Sequence, residues 1–199
     1  MEWWEQISDI WMAGGTLMIP LALLSLVMYY ALFEIWVYFG RNDYSQVDPN
    51  SWMHWIERPG EAKGPLGDII RYAQDRVSST HDVRSRVEEV RAAHLTRIGS
   101  RMRYAAILVG VAPLMGLLGT VVGMLATFQG LATSTGGQTV DIVAGGISEA
   151  LITTQTGLIM AIPGYVFLTA LRKRQKAFET FLLQVEITTL RHLERLQRI

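Results

Sequence analysis

Ala112-Pro113-Leu114-Met115-Gly116-Leu117-Leu118-Gly119-Thr120-Val121-Val122-Gly123-Met124 lies inside a run of 37 consecutive uncharged residues, Tyr104 to Val140. A bilayer core is crossed by ~20 apolar residues. The run therefore holds one membrane span plus a surplus of roughly 20 Å that projects beyond the lipid. Thr133-Ser134-Thr135-Gly136-Gly137-Gln138-Thr139 is a polar turn that ends the span and leads into another apolar stretch.

The charge on either side orients these spans. All 18 Lys and Arg fall in two blocks, Arg41 to Arg103 and Arg172 to Arg198, while residues 1–40 and 104–171 contain none. Basic residues are retained on the cytoplasmic side during insertion. Both blocks are thus expected in the cytoplasm, and the chain is expected to cross three times from an outside N-terminus. The remaining span lies between Asp9 and Glu34, which enclose 24 uncharged residues. Trp3, Trp4 and Trp11 before it, and Trp36 and Tyr38 after it, are placed as interfacial aromatics. Glu34 is expected to snorkel toward the cytoplasmic surface.

The expected organisation is an outside N-terminal segment over 1–15, transmembrane helix 1 over 16–39 and a cytoplasmic helical loop over 40–103. Transmembrane helix 2 follows over 104–132, a short periplasmic loop over 133–142 and transmembrane helix 3 over 143–171, with a cytoplasmic C-terminal helix over 172–199. The fold class is an all-α integral membrane protein with long cytoplasmic helical extensions. Half the residues are apolar and mean hydropathy is +0.22, which agrees with such a protein. Pro49, Pro59-Gly60 and Gly64-Pro65 punctuate the start of the cytoplasmic loop, and no proline or glycine occurs from Asp68 to Ile98. Val83, Val87, Val90 and His94 form one stripe on a charged helix, and Phe178, Leu182, Val185, Leu193, Leu196 and Ile199 keep a helical period in the tail. The opening Met1-Glu2-Trp3-Trp4-Glu5 has no basic region, which argues against a cleavable signal peptide and for a mature chain equal to the whole.

Equal numbers of acidic and basic residues, 18 each, give no reason to expect a nucleic-acid partner. There is no cysteine and the four histidines form no ligand pattern, so neither a metal site nor a cofactor is expected. No phosphate loop, HExxH or serine-nucleophile motif occurs, and enzyme chemistry is not expected.

A helix facing only lipid has no use for hydroxyls, yet Gly116, Thr120, Gly123, Thr127 and Gly130 recur at steps of three and four. Ala150, Thr154, Gly157, Ala161 and Gly164 do the same in the third span, beside Glu149, Thr153 and Thr156. Two readings fit. Small residues permit close packing of membrane helices, with threonines bonded back to their own backbone. Alternatively, the hydroxyls line a path for a small cation. Thr120 follows Arg103 by 17 residues and Thr154 precedes Arg172 by 18, so on antiparallel helices they sit at similar depth. Glu149 is a functional candidate as an ionisable residue near the membrane or, lying 23 residues before Arg172, a marker of the outer interface; Asp141 reads as an outer-interface residue. Pro20, Pro113 and Pro163 are expected to interrupt the hydrogen-bond ladder of their spans.

The quoted stretch resembles the second-span signature of the ExbB/TolQ/MotA proton-channel family. Ile147-Ser148-Glu149-Ala150-Leu151-Ile152-Thr153-Thr154-Gln155-Thr156-Gly157-Leu158, followed by Ala161-Ile162-Pro163, resembles its third span. Three spans are closest to ExbB-like subunits of TonB systems. The resemblance implies a homopentameric ring around a dimer of single-span ExbD-like partners, which energises a TonB-like transducer in the bacterial inner membrane. It implies that Thr120 and Thr154 face the pore and that Glu149 matches the acid opening the third span; by their helical spacing Thr127, Thr153 and Thr156, with Glu149, are further ion-pathway or assembly positions. Gly116, Gly119, Gly123 and Gly157 are helix-packing positions. The ion-carrying aspartate then belongs to the partner. Thr153, Gln155 and Thr156 depart from the family's more apolar pattern and leave proton and sodium open as the coupling ion. A TolQ-like role, another envelope motor and a passive membrane scaffold are the alternatives.

Overall fold

The computed structural model describes residues 2–41, 49–75, 77, 79–133 and 139–197, and among these residues the regular structure is entirely helical. The elements are α1 (Glu2–Ala13), α2 (Met18–Arg41), α3 (Pro49–Glu57), α4 (Gly64–Gln74), α5 (Thr80–Thr133) and α6 (Thr139–Gln197), with a 3-10 turn at Pro59–Glu61. Helices α2, α5 and α6 are long and apolar enough to cross a membrane. Of the expected loop 133–142, residues 134–138 lie outside the described residues, as do 42–48, 76 and 78 of the expected loop 40–103.

Two features refine the sequence reading of the helices. The helices over Asp68 to Ile98 are two, since α4 ends at Gln74 and α5 begins at Thr80. The start of α5 is a reciprocal cap. Asp82 N–H donates to Ser79 Oγ at 3.2 Å, and Ser79 N–H donates to Asp82 Oδ2 at 2.9 Å. Each residue thereby satisfies an otherwise orphaned donor. One proline departs from expectation as well. Pro20 lies in the first turn of α2, where amide hydrogens have no intrahelical acceptor to lose. Pro113 and Pro163 lie inside helices that continue past them, each without the amide hydrogen of a ladder bond, as expected.

The chain divides into two compact units, one of Met1–Leu32 with Tyr104–Leu168 and one of Phe33–Arg103 with Thr169–Ile199. In the first, Leu21, Met28 and Leu32 of α2 are buried with Val109 and Ala112 of α5 and Ala161 and Leu168 of α6. Tyr29 Oη donates to Met160 O at 3.0 Å and ties α2 to α6. Around this core Leu23, Leu26, Leu114, Leu117, Leu125, Phe128, Leu151, Ile159 and Val166 are exposed. An apolar surface of that extent suits lipid. The expected outer segment contains a helix of its own: α1 exposes Trp3, Trp4, Ile7, Ile10 and Trp11.

The second unit has an aromatic core. Trp52 meets Phe181 edge-on at 5.5 Å between centroids, and His94 meets Phe178 edge-on at 6.1 Å. Val83, Val87 and Val90 of the expected stripe are buried, as are Phe178, Leu182 and Val185; the side chains of Leu196 and Ile199 lie outside the described set. Tyr38 Oη and His94 Nδ1 are hydrogen-bonded at 2.9 Å. Glu34 has a partner as well. It pairs with Arg101 at 2.5 Å, because a cation on α5 lies within its reach.

Candidate functional site

The site is the seam between α5 and α6 in the first unit. On α5 the buried positions are Ala105, Val109, Ala112, Gly116, Gly119, Gly123 and Thr127; on α6 they are Gly146, Ala150, Thr153, Gly157, Ala161, Gly164 and Leu168. Steps of three and four keep each row on one helical face. The two backbones touch directly. A Cβ placed on Gly157 would stand 2.7 Å from Ala112 O and 3.1 Å from Gly116 Cα, and one on Gly123 would stand 2.8 Å from Gly146 O. A Cβ on Gly116 would meet Thr154 Cα at 3.1 Å.

Where a side chain does enter the seam, a glycine opposite makes room. Thr153, fully buried, occupies the notch left by Gly119: a Cβ there would lie 2.5 Å from Thr153 Cβ. Thr127, also buried, fills the notch at Gly146. Gly146 was not singled out from the sequence, although it stands one turn before Ala150 and so falls on the same periodic face.

The seam threonines donate their protons to backbone carbonyls. Thr127 Oγ1 donates to Gly123 O at 2.9 Å, Thr153 Oγ1 to Glu149 O and Ala150 O at 3.0 Å each, and Thr156 Oγ1 to Ile152 O at 2.8 Å. Thr120 Oγ1 donates to Leu117 O at 2.7 Å. Thr154 differs, because besides Ala150 O at 3.1 Å it reaches across the seam to Gly116 O at 3.0 Å. A hydroxyl has one proton and two lone pairs, so each of these oxygens, its proton engaged, is left as an acceptor.

Exposure separates the threonines. Thr127 and Thr153 are closed off between the helices, whereas Thr120 and Thr154 are half-buried. Each of the latter directly follows a seam residue, Gly119 or Thr153. A step of about 100° from the seam on two antiparallel helices puts both on the same flank of the pair. Two acceptor oxygens on one flank can hold a water, a hydrated proton or a small cation through lone pairs, without a buried charge.

The acids stand apart from this flank. Gly15, at φ +66°, turns the chain into α2, and a Cβ there would meet Glu149 Cδ at 2.5 Å. Glu149, half-buried, therefore lies against the α1–α2 turn. Asp141 is exposed in the first turn of α6. From Ala112 to Thr127 on α5 and from Gly146 to Gly164 on α6 the seam rows hold only small residues and hydroxyls, with no carboxylate among the described residues. No group of three or more metal-ligating side chains occurs among the described residues.

Comparison with known proteins bears on the same elements. A sequence model described as the MotA/TolQ/ExbB proton channel family matches residues 61–182. Biopolymer transport protein exbB1 of Vibrio cholerae is 39% identical over 67 residues, 34% of this chain and 29% of that protein. Biopolymer transport protein ExbB of Salmonella typhimurium is 34% identical over 108 residues, 53% of this chain and 43% of that one. The Tol-Pal system protein TolQ of Haemophilus influenzae is 39% identical over 80 residues, covering 40% and 35%. The chain spans less than half the length of each of these relatives.

Proposed function

The chain belongs to the MotA/TolQ/ExbB proton channel family, and from that membership we propose that it is an ion-motive-force-driven motor subunit of the bacterial inner membrane. Five copies form a ring around a dimer of single-span, ExbD-like partners, and ion flow past that partner drives a TonB-like transducer serving outer-membrane transport. Membrane lipid surrounds the ring, with the N-terminus periplasmic and the C-terminus cytoplasmic. The observation that carries the reading is the pair Thr120 and Thr154, half-exposed acceptor oxygens on one flank of the α5–α6 seam. Protons are the coupling ion in this reading. A ring of hydroxyls can pass a proton through water but cannot store one, so the group that takes up and releases it is a carboxyl of the partner. The family is one of channels rather than enzymes, and no catalytic role is assigned.

Two other readings each have an observation in their favour. A Tol-type motor is supported by the likeness to Haemophilus TolQ, which is as high in identity as that to Vibrio exbB1. A passive scaffold is supported by the bond from Thr154 to Gly116 O, which gives that hydroxyl a packing role.

The test is energised ferric-siderophore uptake in cells lacking their own ExbB-like subunit, supplied with this chain and its cognate partners. Thr154→Val, which keeps the shape and loses the oxygen, should abolish uptake while membrane level and assembly stay unchanged. Thr154→Ser should retain uptake. Full activity of the valine form would leave only the scaffold role for this residue. Failure of the wild-type chain to restore uptake, with restoration of a Tol-dependent envelope phenotype, would assign it to the Tol type.

A further inference from the structure

The first unit, Met1–Leu32 with Tyr104–Leu168, contains no Lys, Arg or His. Of its acids with described side chains, Glu5, Asp9 and Asp141 are exposed and Glu149 is half-buried. The backbone carbonyl of Glu149 accepts from Thr153. Among the described residues its carboxyl makes no hydrogen bond and no ion pair. A carboxyl partly withdrawn from water, in a unit without a cation, needs another source of positive potential.

The α1–α2 turn offers one. Gly15, at φ +66°, adopts a backbone that glycine takes without strain, and it lacks a side chain where the carboxyl lies: a Cβ there would stand 2.5 Å from Glu149 Cδ and 3.2 Å from Cγ. Gly14 is buried beside it, and a Cβ there would stand 3.1 Å from Ile152 Cγ2. Ile152 follows Glu149 by three residues on the same face of α6. Two adjacent glycines thus seat the backbone of the turn on that face. The amides of Thr16 and Leu17 come next, ahead of α2, and find no acceptor among the described residues. Unbonded amides at a helix N-terminus carry about half a positive charge between them. A carboxyl without a cation and amides without an acceptor are therefore neighbours. Glu149 precedes Thr154 by five residues, roughly 140° round α6 and about 7.5 Å along it, so this contact holds the carboxyl off the flank of Thr120 and Thr154. We propose that Gly14 and Gly15 are positioning residues: their turn is a backbone cradle that fixes the Glu149 carboxyl at the outer end of the ion path, with the N-terminus of α2 as its counter-charge, a role that rests on the reading of the chain as an ion-driven motor.

A cradle has a size, and that makes it testable by exchange. Gly15→Ala adds a methyl against the carboxyl, and Glu149→Asp withdraws the carboxyl by one methylene. The full chain is expressed with its partners, and two quantities are read in native membranes: labelling of Glu149 by a lipid-soluble carbodiimide, located by peptide mass, and energised uptake. Gly15→Ala should raise the labelling several-fold and cut uptake. Gly145→Ala, near the same end of α6 with nothing within 4 Å of a Cβ, should change neither. Glu149→Asp alone should cut uptake, and Gly15→Ala/Glu149→Asp should recover most of it. Alanine at a positive φ is strained whatever stands at 149, so strain alone would leave the double variant no better than Gly15→Ala, which overturns the cradle. Where Gly15→Ala falls short of the wild-type membrane level, the same comparison is made on that level: recovery with Glu149→Asp supports the cradle, and an equal loss in both backgrounds overturns it. Labelling unchanged by Gly15→Ala overturns the placing of the carboxyl, and uptake unchanged despite raised labelling overturns its role in ion flow. A wild-type chain that supports no uptake overturns the uptake reading, while labelling and membrane level still decide the cradle.

Discussion

Gly119→Ala is the sharpest probe of the seam. The added methyl would lie 2.5 Å from Thr153 Cβ and 3.1 Å from Thr153 Cγ2, where carbons at rest stand about 3.5–4.0 Å apart. Thr153 has nowhere to go, since its side chain is fully buried and its hydroxyl is held by Glu149 O and Ala150 O at 3.0 Å. Overpacking of this kind costs about 1–3 kcal/mol, and the better helix propensity of alanine returns at most about 1 kcal/mol. Rotating Thr153 away would not relieve the Cβ contact and would strand a buried hydroxyl, at about 1–3 kcal/mol. We expect a loss of about 2 kcal/mol, roughly a thirtyfold shift toward the unfolded state. The assay is unfolding in mixed micelles titrated with SDS, followed by far-UV circular dichroism. Gly110→Ala serves as the control, because nothing lies within 4 Å of a Cβ there, and it should be neutral or slightly stabilising. Exchanging knob and notch in Gly119→Ala/Thr153→Gly should recover most of the loss. If Gly119→Ala unfolds at the same SDS fraction as Gly110→Ala, the seam is not packed as described.

Two further predictions concern the second unit. Burial holds the His94 imidazole below its ordinary pKa, so the folded state favours the neutral ring. With the unfolded value near 6.5, stability from this group is complete above that pH and is lost as pH falls below it, because the unfolded chain then binds the extra proton. Thermal unfolding should drop between pH 7.5 and 5.5, and His94→Gln should flatten the drop; an unchanged slope would refute the assignment. The Glu34–Arg101 pair, whose side chains are 42% and 33% exposed, should show a coupling of about 0.5–1 kcal/mol in a double-mutant cycle with alanine. That coupling should shrink at 1 M salt, and a salt-independent value would mean that packing of the two stems, not charge, is being measured.

Much of the membrane architecture was legible because the bilayer is a simple solvent. Lipid rejects charge over a fixed thickness, so 37 uncharged residues between Arg103 and Asp141 announce a span without reference to any partner. The packing face was legible for a similar reason, since only small residues let two backbones meet, and their spacing is set by the helical turn. Other features were not legible. The break between α4 and α5 contains neither proline nor glycine and depends on a reciprocal Ser79–Asp82 cap. The partner of Glu34 is Arg101, which is 67 residues away in sequence.

The sequence by itself determined which residues are small, which carry hydroxyls and at what helical spacing, because those follow from the chemistry of each residue and the 3.6-residue turn. It could not say which member of the adjacent pairs Gly119–Thr120 and Thr153–Thr154 turns into the seam, since both lie near one face of their helix until a neighbour is in place. The tertiary structure made that separation. Once Gly119 and Gly146 open notches opposite, Thr153 and Thr127 are drawn into the seam, and a single step round the helix from Thr153 and from Gly119 leaves Thr154 and Thr120 half-exposed on one flank. Which oxygens remain accessible is a property of two surfaces in contact, and one strand of sequence holds only one surface at a time.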